Sequence, residues 1–162
     1  MVNLNQLTFV DVLGQLTLDS IHIKQVFEYY HGCYGSNGLA QQFVANCQLL
    51  SIREKQNAQI GFVDRSLGLH LPKKKTTEGE SIRGTLLRNG LVRSTGHELF
   101  RGCVVFPDVD IHGDIVSANG YRIGRIRNGD KAIVQWQKPE PKSFVDYGMS
   151  MARALVHGQA YH

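Results

Sequence analysis

His97 and Glu98, adjacent in Gly96-His97-Glu98, have the residue types of an acid-base pair or of two metal ligands. Neighbours on a strand project to opposite faces, and no second acid or histidine lies at a metal-site spacing from them. The expectation is that these side chains fix a turn by hydrogen bonds to backbone, as Asp64 is expected to do before Arg65. Asp108, Asp110 and Asp114 have the composition of a metal cluster, yet they flank His112-Gly113, and Asp and Gly are what such a turn selects. Cys33, Cys47 and Cys103 contain no Cys-x-x-Cys pair. With no paired carboxylates, nucleophile-base pair, phosphate-cradling glycine loop or zinc constellation, no catalytic residue, metal or cofactor is expected on this chain alone.

Charge offers more. Eighteen Lys and Arg against fourteen Asp and Glu give a net charge of +4 in 162 residues, a balance that permits nucleic-acid binding without demanding it. Thirteen of the 18 basic residues fall between Arg65 and Lys138. Lys73, Lys74 and Lys75 form a run in which compact ammonium groups suit phosphates and counterion release; a solvated loop that serves solubility is the competing reading. Arg65, Arg83, Arg88, Arg101 and Arg122 are the arginines assigned to the same surface, alongside Arg93, Arg125 and Arg127. Tyr121 and Trp136, lying among basic residues in a region read as sheet, are the aromatics assigned to base stacking. Tyr29, Tyr30 and Phe62 are assigned to helix or core packing.

These residues need a scaffold, and the apolar pattern supplies one. Residues 1–17 fit a strand or a helix equally. Asp19 or Ser20 offers an N-cap to a helix with Ile21, Ile23, Val26, Phe27 and Tyr30 on one face, ending before Gly32. Gly35 to Gly38 reads as a turn, and Leu39 to Leu49 as a second helix with Phe43, Val44 and Cys47 inward. Ser51 and Glu54 have capping-box spacing for a short third helix. Gly61 and Gly68 bracket an extended stretch. Residues 73–79 form an exposed loop leading into a helix over 80–89, with Gly90 as its left-handed cap. The period then changes: HELFRGCVVFP, IVSANGYRI and Lys131 to Trp136 read as strands of an antiparallel meander, with turns at His112-Gly113 and Asn128-Gly129-Asp130. Pro139 and Pro141 mark a linker, and a last amphipathic helix is expected from Ser143 or Phe144 to His157. The fold class is therefore α+β: N-terminal helices, a small antiparallel β-meander and a C-terminal helix.

The order of these elements, GFVDRSLGLHLP at 61–72 followed by GESIRGTLLRNGLVRSTGHELFRGCVVFPDVDIHGDIVSANGYRI at 79–123, resembles the N-terminal subdomain of the catalytic core of bacterial DNA primases, particularly the primase-like proteins of plasmids and other mobile elements. The resemblance starts near Ser20, fades after Ile123 and covers about two thirds of the chain. It implies a wall of a basic groove along which single-stranded template tracks, with Arg101 at a family arginine. A second family arginine falls at Cys103. The family's glycine-arginine step is Gly120-Tyr121 here, with Arg122 one position on; in a strand that reverses the side chain's face. The family's lysine-tyrosine-leucine-asparagine stretch has no counterpart. Neither the zinc ribbon nor the following acidic Toprim domain, which carries the metal-dependent polymerase chemistry, is expected in the sequence between Met1 and His162.

Three divisions follow: an extension over 1–19, a primase-core-like domain over 20–138, and a linker with helix over 139–162. The chain is expected to be a cytoplasmic nucleic-acid-binding module for single-stranded DNA or template-primer, without independent catalysis, working with a catalytic primase or other replication partner in trans. Three cysteines without a secretory leader argue for reduced thiols, and no apolar run is long enough for a bilayer. The alternative is a mobile-element or cassette interaction module that keeps the fold without the ligand, forming a homodimer through the C-terminal helix.

Overall fold

The computed structural model describes residues 9–139 of the chain. Helix α1, Phe9–Gly35, runs straight through Asp19 and Ser20, so the N-cap expected there is corrected: both residues lie inside the helix, and Asp19 is buried. The helix expected after Ser143, and the dimer contact assigned to it, lie outside the described residues.

His22–Lys138 form one compact unit that carries all of the sheet. Within it α1 buries Ile23, Val26, Phe27 and Tyr30, a spacing that puts four side chains on one helical face. Asn37 caps α2, Gly38–Asn46, by accepting from the Ala40 N–H. The Ser51–Glu54 capping box forms as expected and opens α3, Ile52–Lys55. Strand β1 is only Gly61–Phe62. The extended stretch expected up to Gly68 is corrected, because Leu67–His70 make one helical turn, α4, which buries Leu67. Helix α5, Thr77–Arg88, starts three residues before the expected position, capped by Thr76. Gly90 has φ +76° and closes it.

Strands β2 (Cys103–Val109), β3 (Ile115–Arg122) and β4 (Ile133–Gln137) form the antiparallel meander, and β1 pairs with the outer edge of β2. Register decides what each face carries. Cys103, Val105, Ala118, Val134 and Trp136 share the face packed with α1 and α5 residues in the larger core. Val104, Phe106 and Tyr121 share the other face with Ala40 and Val44 of α2. The architecture is α+β, with the helices supplying one layer on each side of the sheet.

Candidate nucleic-acid interface

On the side of the larger core, a cleft of about 520 Å³ opens between α4, α5, the β3–β4 connection and the segment from Val92 to Arg101. Six cationic side chains line it: Arg65, Lys74, Arg83, Arg93, Arg101 and Arg127. Glu98 is the one acid among the lining residues. Clefts lined by one sign of charge focus the field and concentrate counter-ions, so this arrangement suits a polyanion.

Five of the six cations can be traced to a local feature of the fold. Arg65 has φ +71°, the left-handed region, and Asp64 stabilises that turn by accepting from the Ser66 N–H at 3.0 Å. Burial would raise the Asp64 carboxyl, but hydrogen bonds from the Ser66 hydroxyl and backbone hold it below the ordinary range. Arg83 donates to the carbonyls of Gly68 and Pro72 at 3.3 and 3.1 Å, tying α5 to α4. The lysine run folds back onto the start of α5, where Thr76 donates to the Lys73 carbonyl at 2.7 Å. Gly79 makes that fold possible, since a Cβ there would stand 2.0 Å from the same carbonyl. Arg93 sits in a tight hairpin closed by a bridge between Val92 and Glu98, with Gly96 at φ +88°.

Arg101 faces an acid. Its Nη2 lies 3.3 Å from Asp130 Oδ1, with the two side chains 28% and 19% exposed. Arg122 does not reach the cleft-lining set; it donates to the carbonyl of Arg101 at 2.6 Å and to that of Lys131 at 3.0 Å. Cross-strand pairing sets Arg122 directly opposite Cys103, so it projects from the same face as the position at which the second family arginine was expected. Cys103 itself is buried, which pushes its thiol up to about 11.

The assigned residues therefore divide. Arg65, Lys74, Arg83 and Arg101 come together, and Lys73 and Lys75 flank Lys74 in the exposed loop. Arg88 is on α5 outside the lining set, its Nη2 3.4 Å from Thr85 Oγ1. Trp136 is 6% exposed; its ring packs on Phe27 and its indole N–H donates to the Asn89 carbonyl at 2.6 Å. A ring held that way offers no face to a base, which corrects its assignment to stacking. Tyr121 lies on the opposite sheet face, against Phe43 and Phe106, and burial, with Glu54 as a hydrogen-bond partner, pushes its hydroxyl up to about 12. It too stands apart from the cleft. Arg93 and Arg127 were counted in the basic surface but given no role. The Ser94-Thr95-Gly96 turn signal after Arg93 was the available clue.

His97 and Glu98 also separate. His97 Nδ1 lies 3.0 Å from Thr95 Oγ1, a contact within the turn. Glu98 accepts from the Tyr30 hydroxyl at 2.8 Å, 68 residues away, so its partner is a core side chain and not the backbone expected. Among the described residues no group of three His, Cys, Asp or Glu is placed to hold a metal ion. Asp110 accepts from the backbone N–H of His112 and Asp114 at 2.9 and 3.0 Å, the turn role expected of it.

The fold is one found within primase catalytic cores. The zinc-binding and RNA polymerase domains of the Aquifex aeolicus primase superpose with a TM-score of 0.58 at 18% identity, over 78% of this chain and 30% of that one. A DnaG primase catalytic domain bound to ssDNA gives 0.56 at 17% identity, over 80% and 42%. The E. coli primase catalytic core gives 0.51 at 20% identity, over 75% and 38%. The chain thus spans well under half the length of these neighbours, and at such identities the likeness is one of fold. No family model and no curated protein sequence matches the chain.

Proposed function

We propose that this chain is a primase-core-like module that binds single-stranded DNA or a template-primer in the cationic cleft, while polymerase chemistry comes from a partner in trans. The observation that carries the reading is the convergence of six cations, drawn from five separate segments, onto one cleft with a single acid. The structural neighbour bound to ssDNA is consistent with it. Arg65, Arg83, Arg101 and the lysine loop meet phosphates, with Arg93 and Arg127 completing the wall. The mobile-element origin and the cytoplasmic setting belong to the same proposal; no described helix is long and apolar enough to cross a membrane.

The test is fluorescence anisotropy with a short labelled single strand, titrated at 50, 100 and 200 mM salt. Affinity should fall steeply across that range, and Arg101→Ala combined with Lys73, Lys74 and Lys75 each changed to Ala should both weaken binding and flatten the salt dependence. Affinity that is indifferent to salt, or to the fourfold variant, refutes the reading and leaves the interaction module in its place.

A further inference from the structure

A groove meant only for phosphates has no use for an acid or for exposed hydrocarbon, and this cleft has both. Glu98 lies among its lining residues together with Leu71, Leu87 and Val92, and Leu87 is 52% exposed. Its volume of about 520 Å³ is within the ~300–1,000 Å³ typical of small-molecule sites. Apolar side chains beneath a cationic rim suit the face of an unpaired base whose flanking phosphates meet the arginines.

The position of Glu98 bears on which base such a site would take. Among the described residues its hydrogen-bond partner is Tyr30 at Oε1, and no ion pair joins it to the arginines around it. An ionised carboxylate has about four acceptor sites and no donor. Glu98 is only half-buried and its Oε2 is not among the buried atoms left without a partner, so beyond the Tyr30 bond the group is open to solvent and free to accept further N–H donors. Of the four bases, guanine alone presents two adjacent N–H donors, N1–H and the 2-amino group, on its Watson–Crick edge. Thymine, adenine and cytosine each offer one, beside an acceptor that would repel the second carboxylate oxygen.

We propose that Glu98 reads the Watson–Crick edge of one unpaired guanine, seated on Leu71, Leu87 and Val92, so that the cleft prefers single strands with guanine at that position. This rests on the nucleic-acid reading above and adds base selection to it. Glu98 is then a specificity residue, while Tyr30 positions it through the bond at Oε1.

The experiment compares anisotropy titrations of a thymine oligonucleotide with the same strand carrying one central guanine, and with inosine in that place, which lacks the 2-amino group. For the wild-type chain the guanine strand should bind about tenfold more tightly than the all-thymine strand, the low end for a bidentate contact, with inosine between them. Glu98→Gln, which replaces one acceptor by a donor and still accepts from Tyr30, should bring the ratio close to one; because it also removes the one acid from the cleft lining, the readout is the ratio of the two affinities and not either affinity alone. Tyr30→Phe, which leaves the carboxylate in place but removes the bond that positions it, should lower the guanine preference without abolishing it, which separates loss of the carboxylate from loss of its positioning. Equal binding of the guanine and thymine strands by the wild-type chain, or a preference that persists in Glu98→Gln, overturns the proposal while leaving phosphate binding intact. Failure to bind any strand overturns both. Guanosine monophosphate that binds more tightly than the guanine strand assigns the site to a free nucleotide and overturns the strand assignment.

Discussion

Asp130→Asn should make this protein bind single strands more tightly. Asp130 pairs with Arg101 at 3.3 Å, and desolvation pushes its carboxyl up but is outweighed by the Arg122 and Arg101 charges and the Arg101 hydrogen bond, which leave it below the ordinary range. The carboxylate is therefore ionised at neutral pH and occupies the arginine that a phosphate would use. Asparagine keeps the shape and drops the charge. On single strands each phosphate neutralised adds about −0.7 to the slope of log affinity against log salt. If Arg101 is released, one such contact is gained, which multiplies affinity by about eightfold at 50 mM, about fivefold at 100 mM and about threefold at 200 mM. Five contacts would give a wild-type slope of about −3.5, moving to about −4.2 in the variant. Anisotropy titrations at the three salt concentrations measure both quantities. Repeating them in an Arg101→Ala background closes a double-mutant cycle, in which the Asp130 effect should vanish. Coincident wild-type and Asp130→Asn curves, or a gain that survives removal of Arg101, would refute the reasoning.

Arg65→Gly should be about 1 kcal/mol more stable than Arg65→Ala in chemical denaturation, because glycine adopts the left-handed backbone at φ +71° without the Cβ penalty, and both should flatten the salt slope equally by about 0.7. Trp136→Phe removes the N–H donated to the Asn89 carbonyl inside the core and should cost about 1–3 kcal/mol, with strand affinity unchanged in the folded fraction; a selective loss of affinity would return Trp136 to the binding surface. For Glu98, burial raises the carboxyl above its ordinary range against the opposing Tyr30 hydrogen bond. A folded-state value above the unfolded one means the native state holds the extra proton, so this group's contribution is most favourable below the unfolded value and is lost as pH rises through the folded one. Glu98→Gln should therefore gain in Tm relative to wild type between pH 4 and pH 7, and a difference that is flat or shrinks over that range counts against it.

How much of this was legible in the sequence depended on whether the signal was local. The Ser51–Glu54 box, the Gly90 cap and the β-branched and aromatic runs of β2 and β3 each lie within a few residues, and all three elements form. Asp19 misled because a residue favoured at N-caps is here buried within a continuous helix, a tertiary outcome that propensity does not encode. The single turn of α4 is too short for its period to show. Tyr121 and Trp136 looked alike from composition, but pairing puts Tyr121 opposite Val104 and Trp136 opposite Ala118, so they project from opposite faces, and the strand register that decides this was not visible. The convergence of Arg65, Lys74, Arg83 and Arg101 was anticipated from their clustering in sequence. The contacts of Arg101 with Asp130, 29 residues on, and of Glu98 with Tyr30 are products of the folded chain.

The means by which the cations are held bears on how the cleft works. Arg83 is fixed by the carbonyls of Gly68 and Pro72, and Arg65 by a turn that Asp64 closes through the Ser66 N–H. Carbonyls orient a guanidinium without cancelling its charge, so Arg83 is ordered before a ligand arrives and keeps its full attraction for it, which lowers the cost of binding. Arg101 is treated differently: its order comes from a carboxylate on the β3–β4 connection, the segment that also supplies Arg127 to the same cleft. A phosphate arriving at Arg101 must displace Asp130, and in doing so it loosens the contact that links the connection to the cleft wall. On the proposed function, ligand entry and the position of Arg127 would be coupled through this contact. Arg127→Ala should consequently cost less affinity in wild type than in Asp130→Asn if the pair holds Arg127 back, and equal losses in the two backgrounds would show that the connection does not respond.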